Sequence, residues 1–370
     1  SRRRHTRFKC DWSSDVCSSD LAPFGCYYAP DPSSQSVCSI GGNVAENSGG
    51  AHCLKYGFTT THVLGLEVVL ADGTLVHLGS SALDAPGYDL PGVFVGSEGT
   101  LGVATKVTLR IVKRPEFVQT LLAAFASTNE AGAAVSGIIA AGMLPAAIEM
   151  MDTLSIEAAE AAVHANYPMC GGLLLVELDG PVAEVATLME EVGAICRANG
   201  ASEIRVSKNE EERMVVWKGR KAAFAAMGRL SPNYLVQDGV IPRTALGAIL
   251  SEIEELSAKA GLRVANVFHA GDGNLHPLVL YDRRIEGQEK AAEHLAERIL
   301  ELCIEKGGSI TGEHGVGEEK KHMMGKMYAE PDLATMNRLR CAFDPLSLAN
   351  PTKVFPRPDR KSTRLNSSHT

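Results

Sequence analysis

The chain has 370 residues, 45% of them hydrophobic and 22% charged, with a formal net charge of −8. That length admits two domains with cores of their own, and the acidic balance argues against nucleic acid as a partner. No run of about 18 apolar residues and no secretory leader pattern is present, and nine scattered cysteines without a C-x-x-C pair point to a reducing cytoplasm.

The two ends differ from the rest. Residues 1–21, opening "SRRRHTRFKCDWSSDVCSSD", and residues 358–370, closing "RKSTRLNSSHT", are serine-rich, basic and without apolar period. Both resemble non-native, adapter-like tails and are set aside. From Pro23 to Arg114 the chain is glycine-rich and strand-like. "VLGLEVVLADGTLVHLG" reads as two strands joined at Asp72-Gly73. After Pro115 strands and helices alternate: "FVQTLLAAF" is a strand, Ser127–Glu130 a capping pattern opening a helix to about Ala141, and "PAAIEMMD" and "GGLLLVELDG" are strands. Helices follow over "VAEVATLMEEVGAICRANG" and "EEERMVVWKGRKAAFAAMG". "NYLVQDGVI" is a strand, "RTALGAILSEIEELSAKAG" a helix, and a last helix runs from about Glu286 to Lys306. Such alternation with added hairpins predicts an α+β fold, helices lying on one face of a largely antiparallel sheet.

Three stretches carry chemistry. In "FHAGDGNLH", His269 and His276 flank a turn between two apolar strands. Folded as a hairpin, two facing imidazoles can grip one divalent ion. On this stretch alone, that reading and a plain hairpin with two hydrogen-bonded histidines stand level. In "GGSITGEHGVG", Glu313 offers a hard oxygen ligand and His314 a base that titrates near neutrality. Two histidines and a glutamate form a common metal set with an open position. The glycine-rich runs Ser39–Gly50 and Gly96–Gly102 expose backbone N–H groups to a flat ring or a pyrophosphate; tight turns between strands explain them equally well. Neither is a Rossmann or Walker loop.

Taken together, "IGGNVAENSGG", "GYDLPGVFVGSEGTLGV", "VFHAGDGNLHP", "GEHGVG" and "NPTKVFP" resemble the FAD-linked 2-hydroxyacid oxidase/dehydrogenase family, on its glycolate-oxidase branch beside the D-lactate and D-2-hydroxyglutarate dehydrogenases. The resemblance covers about residues 22–357. It implies the second half of a vanillyl-alcohol-oxidase (VAO/PCMH) type FAD-binding domain over 22–115, then an α+β, ferredoxin-like cap domain over 116–357. It further implies FAD contacts at Ile40, Gly41, Gly42, Asn43, Asn47, Gly49, Gly50, Gly96, Ser97, Glu98, Gly99, Gly102, Val103 and Asn350. By the same likeness His269, His276 and Glu313 are ligands of a divalent metal (zinc, manganese or iron), His314 is the base, and Arg220, in "WKGRKAAF", holds the substrate carboxylate, for which a guanidinium fork is suited.

Relatives begin their FAD domain upstream with a glycine-rich pyrophosphate loop, and none stands before Pro23 here. The expectation is therefore a truncated FAD domain with a whole cap, a chain that can fail as a flavoenzyme. Leu278 occupies a position where the hydroxyglutarate enzymes carry asparagine, which favours a small substrate such as glycolate or D-lactate. The implied reaction is oxidation of a 2-hydroxyacid to the 2-oxoacid by hydride transfer to flavin, with metal-assisted deprotonation of the hydroxyl. No iron–sulfur cysteine pattern is present, so onward electron transfer calls for an acceptor or a partner subunit, iron–sulfur or second flavin, which would also account for any membrane association. Two rival readings use the same residues: a metal-dependent hydrolase, and a non-catalytic subunit of a flavin oxidase complex.

Overall fold

The structure, a computed structural model, describes residues 20–83 and 86–356. The tails expected at 1–21 and 358–370 fall outside the described residues, apart from Asp20 and Leu21.

The first part is built on a small antiparallel sheet. A two-residue strand, β1 (Cys26–Tyr27), stands apart from it. β2 (Val63–Val69) is central, flanked by β3 (Leu75–Gly79) and β4 (Val103–Leu109). The Asp72-Gly73 turn joins β2 to β3 as its sequence predicts, with Gly73 at φ +85°. The run read as a glycine loop is partly helical: α1 spans Ile40–Glu46. Ser39 caps it by accepting from Gly42 N (3.0 Å), and Asn47 ends it in the left-handed region at φ +52°. Ile40, Asn43 and Val44 face inward at helical spacing. Two glycines in one short helix cost about 1 kcal/mol each, so their density hid it. Short helices α2 (Cys53–Tyr56), α3 (Thr59–His62) and α4 (Leu90–Phe94) complete this part.

A short strand, β5 (Val112–Lys113), pairs with β1 and leads into the second part. That part is one antiparallel sheet in the order β10-β13-β12-β7-β8-β6-β9, with β11 also paired to β13. Its strands are β6 (Phe117–Phe125), β7 (Ala147–Asp152), β8 (Gly172–Gly180), β9 (Glu203–Val206), β10 (Asn233–Val236), β11 (Gly239–Val240), β12 (Arg263–His269) and β13 (Asn274–Tyr281). Helices cover both faces of this sheet, not one as expected. α5 (Thr128–Ala140), α7 (Val182–Ala198), α9 (Leu246–Ala260) and α10 (Gln288–Glu305) pack on one side, through residues such as Val135, Val192, Ile253 and Ile299. α6 (Thr153–Val163) and α8 (Glu210–Ala226) pack on the other, through Ile156, Ala159, Ala223 and Ala226. The strand sequences explain this. Leu173 and Leu175 of β8 join one core, Leu174 and Val176 the other, and all four are 0% exposed. A strand covered on both faces needs a continuous apolar run, each such side chain contributing about 1.5–3 kcal/mol on burial.

"NYLVQDGVI" is interrupted, not one strand. Pro277 on β13 lies opposite Gln237 and has no N–H to complete the ladder. The gap places Asp238 against His276. Helices α6, α11 (Met324–Met327) and α12 (Glu330–Phe343) were not anticipated; α6 is capped by Asp152, which accepts from Ser155 N (2.9 Å). Among the described residues, no helix is long and apolar enough to cross a membrane, and the described cysteines are free.

Candidate active site

Strand register assembles the centre. His269 pairs with Asn274 on β13 and with Glu149 on β7, while His276 pairs with Val267. The two histidines are therefore diagonal neighbours on one sheet face, not the directly opposed pair expected. Their rings are 5.1 Å apart and perpendicular. Glu313 arrives from the loop after α10, its Oε1 3.4 Å from His269 Nε2 and 3.3 Å from His276 Nε2. Two ligand atoms bound at about 2.1 Å to one tetrahedral ion stand about 3.4 Å apart, so the spacing fits an ion. A second observation agrees: His276 is 1% exposed, yet neither ring nitrogen has a hydrogen-bond partner. Buried polar atoms are rarely left so unless a ligand completes them.

The surroundings orient the set. Glu149, 0% exposed, accepts from His269 Nδ1 at 2.7 Å and leaves Nε2 for a metal. It also accepts from Arg220 Nε at 2.8 Å. Arg220 Nη2 is 2.6 Å from the same oxygen but out of hydrogen-bond alignment, and the guanidinium lies 5.6 Å from the Phe224 ring. Phe224 in turn packs edge-on against His276. His314 stacks on His276 at 5.0 Å, half-exposed, with Nε2 3.8 Å from Glu313 Oε1. Burial alone would raise the Glu313 carboxyl, but the adjoining His269 and His276 rings hold it well below the ordinary range. Burial lowers His314 below its usual value, against the pull of Asp238.

The predicted cofactor loops form one unit. Gly96 N donates to Val44 O and Glu98 N to Ala45 O, each at 2.8 Å. Asn43 Nδ2 and Ser97 Oγ are buried without partners, as a cofactor contact would require. Asn47 instead binds Thr60 N through Oδ1 (2.8 Å), and Asn350 donates to Glu98 O (2.6 Å). Val103 begins β4 and is 65% exposed. Gly49 lies against Glu313, where a Cβ would come within 2.7 Å of its Oε2. Glu98 reaches the same loop from the other side, accepting from Val316 N (2.6 Å) and Gly317 N (2.7 Å).

Sequence reasoning missed Glu149 and Asp238. The signal for Glu149 was a lone carboxylate inside the apolar strand "AIEMMD", where an unpaired charge is costly. It also missed the contact between the two parts. His52 stacks on Trp217 at 5.6 Å and bridges Asp31 Oδ2 and Glu177 Oε1, each at 2.8 Å. Lys55 and Tyr56 bind Asp179 beside it. Burial would depress His52, but the two carboxylates raise it well above its usual value. Glu177, which burial would raise, is held at about 2 by His52 and Arg213.

Residues 114–354 match the FAD linked oxidases, C-terminal domain, and residues 17–79 match an FAD binding domain. The chain is 52% identical over 340 residues to glycolate oxidase subunit GlcD of Escherichia coli strain K12, covering 92% of this chain and 68% of that protein. It is 40% identical to the Bacillus subtilis subunit of the same name, covering 91% and 72%. To mitochondrial D-lactate dehydrogenase [cytochrome] of Arabidopsis thaliana it is 30% identical, covering 91% and 59%. The 4-ethylphenol oxidase of Gulosibacter chungangensis shares the fold at a TM-score of 0.72 and 14% identity, covering 94% of this chain and 76% of that one. The chain belongs to the FAD-linked oxidase family, among its 2-hydroxyacid oxidoreductases.

Proposed function

We propose that the protein oxidises a small 2-hydroxyacid, glycolate or D-lactate, to the 2-oxoacid, with its flavin half ending and its cap beginning near residue 115. The observation that carries this reading is the His269–His276–Glu313 set, at metal spacing, with Arg220 and His314 beside it. When bound, FAD supplies the hydride acceptor and a divalent metal a Lewis acid at the substrate hydroxyl. His269, His276 and Glu313 would hold the metal. Arg220, fixed through Nε by Glu149, turns its remaining donors to the substrate carboxylate. His314 takes the hydroxyl proton at Nε2, its ring stacked on His276. Two anchored groups on one substrate, carboxylate and hydroxyl, fix which face of the α-carbon meets the flavin. The matched relatives from E. coli and B. subtilis are named as subunits, and we assign the onward acceptor of electrons to a partner subunit.

The test is reduction of an artificial electron-accepting dye by the purified protein with added FAD, run with glycolate, D-lactate, L-lactate and D-2-hydroxyglutarate. Turnover with glycolate or D-lactate, lost on chelation, is the expected result. Turnover confined to D-2-hydroxyglutarate, or unaffected by metal removal, would refute it.

A further inference from the structure

The loop that presents Glu313 and His314 has no regular secondary structure of its own, yet both side chains must be held to fractions of an ångström. Its backbone is gripped by one carboxylate. Asp238 Oδ2 accepts from Thr311 Oγ1 (2.6 Å), Gly312 N (2.8 Å), Glu313 N (3.0 Å) and His314 N (2.8 Å). Its other oxygen accepts from Asn274 Nδ2 at 2.7 Å and lies 3.8 Å from His276 Nδ1. Asp238 is 0% exposed. Gly312 is tightly enclosed there, since a Cβ would come within 2.0 Å of Asn274 Nδ2. Lys320 Nζ, 3.9 Å away and buried without a hydrogen-bond partner, supplies the compensating charge.

From this arrangement we infer that Asp238 is a positioning residue for the centre: a clamp that sets Glu313 and His314 against His276. The inference rests on the metal reading above. Asp238 stands outside the His269–His276–Glu313 set, though its carboxylate also lies within 4.8 Å of ligand atoms of His276 and His314. Four donors crowd its Oδ2, whereas Oδ1 accepts only from Asn274, so the oxygen that holds the loop is the one committed to clamping. An acceptor-only side chain is needed at this point, and only a carboxylate provides one. Asparagine is the nearest substitute. Its oxygen can keep the backbone donors while its amide meets Asn274, whose Oδ1 is buried without a partner and can turn to accept.

The test pairs two measurements on the full chain. Cobalt(II) titration, followed by visible absorption, reads ion affinity; amide hydrogen exchange reads the loop. Asp238→Ala is expected to weaken cobalt binding by about tenfold to a hundredfold, as loss of outer-shell support does elsewhere. In the same variant, exchange at residues 312–314 is expected to speed up at least tenfold, with the 263–281 hairpin unchanged. Asp238→Asn should restore most of the protection at 312–314 and part of the affinity. Parental cobalt affinity in the alanine variant overturns the proposal. So does a loss of protection shared equally by the hairpin, which marks a general structural role. If the parent itself binds no cobalt, the metal reading fails, and exchange alone decides whether Asp238 clamps the loop. If Asp238→Ala does not fold, Asp238→Asn decides: parental affinity and parental exchange together overturn the clamp, and reduced affinity with a folded hairpin supports it.

Discussion

Glu149 joins the proposed carboxylate anchor to the proposed metal ligand, and removing it should expose both dependencies at once. The carboxylate is 0% exposed, 2.7 Å from His269 Nδ1 and 2.8 Å from Arg220 Nε, and the Arg220 side chain is 3% exposed. Glu149→Gln keeps the volume but leaves a buried guanidinium without its counter-charge. Breaking one side of a buried pair costs about 3–5 kcal/mol. Arg220→Met leaves Glu149 still bonded to His269, so its cost should fall at the lower end of that range. With both changed no buried charge is stranded at this pair, and the double variant should be destabilised by at least about 1 kcal/mol less than the sum of the singles. Urea unfolding of the four proteins, followed by tryptophan fluorescence, measures this; Trp217 lies on α8 three residues from Arg220. Ion affinity is the second readout, and Glu149→Gln should lower it by about tenfold or more. Free energies that add within about 0.5 kcal/mol, with unchanged ion affinity, would show that Glu149 merely fills space and that the link between Arg220 and His269 has no energetic content.

Replacing His269 or His276 by Ala should abolish dye reduction and cobalt binding while FAD affinity stays within about twofold; near-normal turnover by chelated protein would sink the metal role. Arg220→Lys should raise KM for the hydroxyacid strongly with a smaller fall in kcat, because the planar fork is lost while the charge stays; a KM within about twofold of the parent would place the carboxylate elsewhere. Gly49→Ala should displace Glu313, since its new methyl would stand 2.7 Å from Oε2 and as close to the Phe58 ring; ion affinity falls, and parental affinity would show that this approach is looser than drawn. His52, raised in the folded state, contributes stability that is fully present below about pH 6.5 and is lost as pH rises through its folded value. Glu177, held at about 2, loses its contribution only as pH falls from about 4.3 towards that value. Melting curves from pH 5 to 9 should therefore show an alkaline decline that is shallower in His52→Gln, and superimposable slopes would discount the bridge.

What the sequence by itself determined about this protein is what depends on near neighbours along the chain. Alternating or continuous apolar runs marked β6, β7, β8, β12 and β13 and, as one strand, β10 with β11, while β9 went unmarked; Ser127 marked the start of α5, and Asp72-Gly73 marked a turn, because period, caps and positive-φ residues act within a few positions. The residue types at His269, His276, Glu313 and His314 suggested a metal site, which remains a proposal, and the ordered motifs announced the family. Only the tertiary structure decided which distant groups meet. Whether His269 faces His276 directly or diagonally depends on strand register, which the turn sets by a residue or two. Helices on both faces, not one, follow from how the β8 side chains divide between two cores. Glu149, Asp238 and His52 lie far in sequence from the groups they hold, and although the apolar strand around Glu149 signals burial, nothing local names the partner that a buried carboxylate will meet. That choice is made by burial, which strengthens each paired charge and penalises each unpaired one, and burial exists only once the chain has folded.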